Sequence, residues 1–218
     1  MNKTAILLGS SGLVGSQLLT LLLNCPTYTQ VILFNRKPSL VKHPKIKEYV
    51  VNFNKLENHK NEIKADAIFS CLGSTKSKTP NPIDYRKVDF DIPLFFAKEG
   101  AKNGAQQYHL ISSLGADAQA KNFYSKLKGE VEEALKKCAI PSIYIYQPSF
   151  LIGNRLEKRI LEKLVLGFVK ILSPFLVGKL KKFKGIEASI LAKAILNTSL
   201  KSELGIHTYT SDIIKTLA

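Results

Sequence analysis

The chain has no tryptophan, one methionine and only 17 acidic residues against 32 lysines and arginines. Its three cysteines, Cys25, Cys71 and Cys138, are odd in number, far apart and form no C-x-x-C pair. That argues against a disulfide framework or a zinc site and suits a reducing compartment. His43, His59, His109 and His207 show no metal-ligand spacing either, so no metal is expected. His109 lies in an apolar run and reads as a satisfied core residue rather than a ligand. Long hydrophobic runs are missing too. Residues 4–8 are apolar but lead into glycines instead of a cleavage site, and the stretch 160–177 is interrupted by Glu162, Lys163, Lys170 and Pro174. Neither a secretory leader nor a membrane-crossing helix is expected, and the localisation expected is cytoplasmic. No repeat, low-complexity tract or long linker divides the chain. A single domain over residues 1–218 is expected, in which 149–218 contribute a small substrate-side lobe.

What is abundant is positive charge, a formal +15 over 218 residues. The lysines are scattered rather than gathered in one arm, so a solvated surface is the plainer reading and an anionic ligand the sharper one. Nucleic-acid binding would need a recognition motif and interleaved aromatics, and neither is present. With 45% hydrophobic and 22% charged residues the composition is that of an ordinary globular chain.

The hydrophobic pattern alternates. Short apolar runs at 4–8, 31–34, 48–51, 67–71, 107–112 and 142–146 read as strands, with helical patterns at 13–24, 84–103 and 123–138 between them. Pro93 marks a kink or a helix start in the third crossover. Strands that are apolar nearly throughout are covered by helices on both faces. Right-handed crossovers then give an α/β, Rossmann-like doubly wound parallel sheet in the order 3-2-1-4-5-6. After Pro148 helices are expected at 155–172 and 187–200, and a seventh strand near 207–210.

The chemistry is expected at the ends of these strands. Gly9, Gly12 and Gly15 stand between the first strand and the first helix. Glycine permits the tight turn and the close approach of a pyrophosphate, and the first-turn N–H groups at Leu13 and Val14 face the anion. Ser11 lies in the same turn. Inside a βαβ unit this spacing is a dinucleotide signature, and the competing reading is a glycine turn that binds nothing. A carboxylate ending the second strand would select NAD(H). The chain reads Leu33-Phe34-Asn35-Arg36-Lys37 there. Arg36 suits a ribose 2′-phosphate, so NADP(H) is preferred over NAD(H) as cofactor; the competing reading leaves Arg36 as a surface charge.

Tyr124 and Lys128 share one face of the helix 123–138. Of the eight tyrosines only Tyr124 has a lysine four residues on. Ser112 and Ser113 end the strand just before. The glycine loop, Ser113 and Tyr124-x-x-x-Lys128 resemble the short-chain dehydrogenase/reductase superfamily, and more narrowly its atypical branch similar to the Tat-interacting oxidoreductase-like proteins. The segments carrying the narrower resemblance are Cys71-Leu-Gly-Ser-Thr-Lys76, Leu110-Ile-Ser-Ser-Leu-Gly-Ala-Asp117, Asn122-Phe-Tyr-Ser-Lys-Leu-Lys-Gly-Glu-Val-Glu132 and Gln147-Pro-Ser-Phe-Leu-Ile-Gly153.

The resemblance implies roles. Lys128 would bind the nicotinamide ribose and favour the phenolate of Tyr124, Tyr124 would exchange a proton with the substrate oxygen, and Ser113 would hold that oxygen. Either serine fits, with Ser113 preferred from its place after the strand. Leu72 and Gly73 would approach the cofactor, Pro148 would line the nicotinamide side, and Asn52 would stand beside the adenine where many relatives carry aspartate. The activity implied is NADP(H)-dependent hydride transfer to or from a small carbonyl or alcohol substrate. The alternative is a non-enzymatic NADPH-sensing regulator or assembly factor. The basic, partly apolar segment 156–184 reads as a pocket cover ahead of a peripheral membrane contact.

Overall fold

The computed structural model describes residues 2–152, 184–201 and 203–218. Strand β1 spans Lys3–Leu8, helix α1 Leu13–Asn24, β2 Tyr28–Asn35 and β3 Ile46–Val50. A short 3-10 helix, Leu56–Glu62, precedes β4 at Ala67–Ser70. Helix α2 (Pro82–Arg86), a π-helical turn (Lys87–Asp91) and α3 (Ile92–Lys102) lead to β5 at Gln107–Ile111. Then come α4 (Phe123–Lys136), β6 (Ser142–Gln147) and the two-residue strand β7 (Leu151–Ile152). After the segment outside the description lie β8 (Ile186–Glu187), α5 (Ala188–Ser199), β9 (Gly205–Thr210) and α6 (Ser211–Thr216).

Seven strands form one sheet in the order β3-β2-β1-β4-β5-β6-β9, and each pairing is parallel. The expected order holds and the seventh strand exists, longer than its apolar signal suggested. The pair β7-β8, which the pattern did not announce, is a separate parallel ribbon. Successive residues of β1 serve opposite faces. Ala5 and Leu7 join a core with α1, α5 and Ile214 of α6, whereas Ile6 and Leu8 join one with α3 and α4. That two-faced use explains why the strand is apolar throughout rather than alternating. Of the expected lobe 149–218, β9 extends the main sheet and α5 packs beside α1 in the first core. The helix expected at 155–172 lies outside the described residues.

The third crossover departs from a plain helix for a local reason. Proline cannot donate to the carbonyl four residues back, and its ring crowds that carbonyl. Pro93 sits in the first turn of α3, and the residue four before it, Asp89, lies in the π-helical turn 87–91. Such turns recur at functional sites.

One face of the sheet carries a row of rings in register. Phe69, His109, Tyr144 and His207 come from β4, β5, β6 and β9 and stack with centroids 4.7, 4.6 and 4.9 Å apart. Each such pair contributes about 0.5–1.5 kcal/mol beyond area burial. His109 Nδ1 is 3.0 Å from the Tyr146 hydroxyl and Nε2 is 3.3 Å from Gln107 Oε1. Burial lowers its pKa to about 3, so the imidazole is neutral at physiological pH, as expected of a core residue.

Candidate active site

The candidate loops follow strands at their carboxyl ends, along the edge where open parallel sheets bind ligands, and Tyr124 and Lys128 stand in the helix after β5. The glycine turn comes first. Gly9 has φ +78°, in the left-handed region that side chains disfavour. A Cβ on Gly9 would lie 2.7 Å from the Cys71 carbonyl oxygen, and one on Gly15 would lie 2.1 Å from the Gly9 oxygen. The loop is therefore pressed against both the end of β4 and the first turn of α1, and it closes with a bond from Gly12 N to Gly9 O of 2.9 Å. The N-cap of α1 is Gly12, which supplies no side-chain cap. The donors of the first turn, at Leu13 and Val14, are the kind an oxyanion satisfies. Ser11 lies at the tip of this turn. These features fit a pyrophosphate.

At the end of β2 the structure adds residues that the sequence pattern did not single out. Ser10 Oγ donates to Asn35 Oδ1 at 2.9 Å, and Asn35 Nδ2 donates to Glu48 Oε1 at 2.7 Å. The same Oε1 accepts from Ser39 N at 2.7 Å. A carboxylate thus does stand beside the strand end, delivered sideways from β3. Arg36 and Lys37 lie between Asn35 and Ser39, and both are exposed. Asn52, at the end of β3, is exposed, and its Oδ1 accepts from Asn54 N at 2.9 Å.

The catalytic candidates fall around α4. Asn122 caps this helix by accepting from Ser125 N. Tyr124 is half-exposed, whereas Lys128, one turn on, is buried. The ammonium of Lys128 lies 6.0 Å from the centre of the Tyr124 ring and 2.7 Å from Asp89 Oδ1. The side chains of this ion pair are 5% and 0% exposed. Asp89 Oδ2 accepts from Ser74 N at 2.9 Å, which ties the turn after Leu72 and Gly73 to the same carboxylate. The Tyr85 hydroxyl donates to Ser74 O at 2.7 Å, and burial raises its pKa. So Lys128 meets Asp89 as its ionic partner, a residue the expected triad lacked. The sequence held a signal: Tyr85, Asp89, Ile92 and Phe96 fall on the buried stripe of the crossover, and a carboxylate on such a stripe demands a partner.

The two serines part company. Ser112 Oγ donates to Glu132 Oε1 on α4, and Gln147 Nε2 donates to both oxygens of Glu132 at 3.0 Å. Burial raises the pKa of Glu132, with the hydrogen bonds from Ser112 and Gln147 opposing. Among the described residues Ser113 Oγ has a long bond of 3.4 Å to Leu114 O. Leu114 N donates to the carbonyl of Pro148 at 2.9 Å, which joins the loops after β5 and β6.

A parallel sheet in this order, with a glycine turn after its first strand, defines a Rossmann-like α/β protein. The Bordetella bronchiseptica enzyme WbmH, solved in complex with NAD+, shares the fold at a TM-score of 0.73 and 15% identity, over 99% of this chain and 79% of that one. No protein-family model matches the sequence. Curated relatives narrow the assignment. Protein FMP52-1, mitochondrial, of Scheffersomyces stipitis is 30% identical over 180 residues, 78% of this chain and 76% of its own length. Protein fmp52, mitochondrial, of Emericella nidulans is 29% identical over 96% of both chains. Protein HTATIP2 of Rattus norvegicus is 30% identical over 72% of this chain and 66% of its own. The chain belongs to the FMP52/HTATIP2 family. One expectation is corrected here: the fungal relatives are mitochondrial proteins, which overturns the cytoplasmic assignment. That assignment rested on free cysteines and an unremarkable N-terminus, features that do not distinguish one reducing compartment from another. Among the described residues no helix is long and apolar enough to cross a membrane.

Proposed function

We propose that the chain binds NADP(H) in the crevice between the glycine turn and α4, and is an oxidoreductase acting on a small carbonyl or alcohol substrate. The observation carrying this reading is the buried Lys128–Asp89 pair one helical turn from a half-exposed tyrosine, at the same sheet edge as an uncapped helix N-terminus. A buried ion pair adds little to stability, and buried charged groups cluster at functional sites. Gly9, Ser11, Gly12, Leu13, Val14 and Gly15 would hold the pyrophosphate, Arg36 the 2′-phosphate, and Asn52 the adenine side. Leu72, Gly73 and Pro148 would border the nicotinamide. The bound nicotinamide supplies or accepts the hydride. Lys128, its ammonium held by Asp89, directs another N–H at the ribose. Tyr124 Oη exchanges a proton with the substrate oxygen. Ser113 Oγ, which is not committed to Glu132, steadies that oxygen.

The test is twofold. Fluorescence titration of the purified chain should show NADPH binding more tightly than NADH. In a screen of carbonyl substrates, Tyr124→Phe should abolish turnover while leaving NADPH affinity intact. NADPH binding with turnover indifferent to Tyr124→Phe refutes the mechanism.

A second reading, a dinucleotide-responsive regulator without turnover, draws on one observation: the counter-ion held by Lys128 is Asp89, and its ammonium stands 6.0 Å from the Tyr124 ring centre. Pull-downs with and without NADPH distinguish the two, since this reading requires partners gained or lost with the nucleotide.

A further inference from the structure

Dinucleotide preference is ordinarily argued from the residue that ends the second strand. Here that residue is Asn35, whose amide is committed on both sides: its oxygen accepts from Ser10 Oγ of the glycine turn and its nitrogen donates to Glu48. Ser10 is buried and the Glu48 side chain is 15% exposed. Glu48 Oε1 takes two short bonds, from Asn35 Nδ2 and Ser39 N, each 2.7 Å, and Oε2 faces Lys42 Nζ at 3.9 Å. Ser39 Oγ in turn accepts from Val41 N at 3.1 Å. One carboxylate therefore ties together three segments, the glycine turn, the end of β2 and the turn 36–41. Its Oε1 is turned to internal donors, while Oε2 has the exposed ammonium of Lys42 at the limit of an ion pair. An aspartate at position 35 would place a second carboxylate against it, so Glu48 also disfavours the usual NAD-selecting residue at the strand end.

Building on the dinucleotide reading above, we propose that Glu48 is the positioning residue that sets preference for a dinucleotide bearing a 2′-phosphate. It clamps the turn so that Arg36 and Lys37 stand over the phosphate position. Its negative charge alone would act in the opposite sense, repelling the phosphate, and the two effects can be separated. Glu48→Gln removes the charge and keeps a carbonyl acceptor for Ser39 or Asn35, whereas Glu48→Ala removes both.

The experiment is titration of the full chain and its variants with NADPH and with NADH, with circular dichroism checking the fold. The clamp predicts that Glu48→Ala raises the NADPH Kd about tenfold, the NADH Kd changes no more than about twofold, and Glu48→Gln keeps most of the preference. Equal tightening of NADPH in both variants, or an equal shift for both nucleotides in Glu48→Ala, overturns it. Should Glu48→Ala fail to fold, the pair Asn35→Asp/Glu48→Gln moves the carboxylate to the strand end and should swing preference toward NADH; an unchanged preference refutes the clamp. A wild-type chain that binds neither nucleotide defeats the dinucleotide reading itself. A wild-type chain that binds, with its preference untouched in Glu48→Ala, defeats the clamp alone.

Discussion

Replacing Asp89 by asparagine isolates the interaction at the centre of the site. Lys128 and Asp89 are separated by 2.7 Å with side chains 5% and 0% exposed. At an effective dielectric of about 20 their attraction is about 6 kcal/mol, a sum largely offset by the several kcal/mol needed to desolvate each ion. The pair as a whole therefore adds little to stability, while breaking it strands a buried ammonium. Asparagine still offers an oxygen to Ser74 N, so the loss falls mainly on Lys128. The expected cost is about 3–5 kcal/mol, or a fall of about 10 °C in melting temperature for a chain of this size. Lys128→Met should cost a similar amount by leaving Asp89 unpaired. The double variant Asp89→Asn/Lys128→Met should lose less than the two single changes together, because no charge is left buried. Urea unfolding with unchanged m-values is the assay, read as a double-mutant cycle. Additive single losses, or an Asp89→Asn cost below about 1 kcal/mol, would mean that the two side chains do not share a dry site, and the argument built on them would fail.

Other consequences follow from the same geometry. His109 binds a proton only near pH 3 when folded but near 6.5 when unfolded, so the unfolded chain takes up more protons between those values and stability falls as pH drops through that window. From pH 7 to pH 5 the loss is about 2 kcal/mol, and His109→Phe, which keeps a ring in the stack, should remove that part of the pH dependence in thermal melts; an identical pH profile would contradict it. Ser112→Ala should destabilise by about 1–3 kcal/mol in urea unfolding by depriving buried Glu132 of a donor, whereas Ser113→Ala should leave stability within about 0.5 kcal/mol and lower turnover instead. Gly15→Ala places a Cβ 2.1 Å from the Gly9 oxygen, so it should distort the turn and weaken NADPH binding in a fluorescence titration. Retained affinity would show that the turn is not the pyrophosphate cradle.

The sheet was legible because each of its first six strands has a local apolar signature, and the connections between them leave one economical winding. Boundaries drifted where pairing, not composition, sets them: β2 begins at Tyr28, before its apolar run, because it pairs with β1 from Lys3 onward. Pro93 was readable as a kink or a helix start; that the turn before it opens into a π-helix was not, because either outcome follows from the same local signal. The glycine turn, Tyr124, Lys128 and Ser113 carry fixed spacings and so stand out in one dimension. Asp89, Glu48 and Glu132 do not, because each acts through a partner 13 to 39 residues away: Asn35 for Glu48, Gln147 and Ser112 for Glu132, and Lys128 for Asp89. Asp89 and Glu132 betray themselves as charges on the buried stripes of their helices, whereas Glu48, on a half-buried strand, does not.

The central claim is that the turn from Gly9 to Gly15 cradles the pyrophosphate of a nicotinamide dinucleotide. Isothermal titration calorimetry of the intact chain with NADPH and with NADH tests it most directly, with Gly9→Ala as the control. The account predicts single-site binding, tighter for NADPH and lost in the variant. Absence of heat with either nucleotide, or binding that survives Gly9→Ala undiminished, contradicts it.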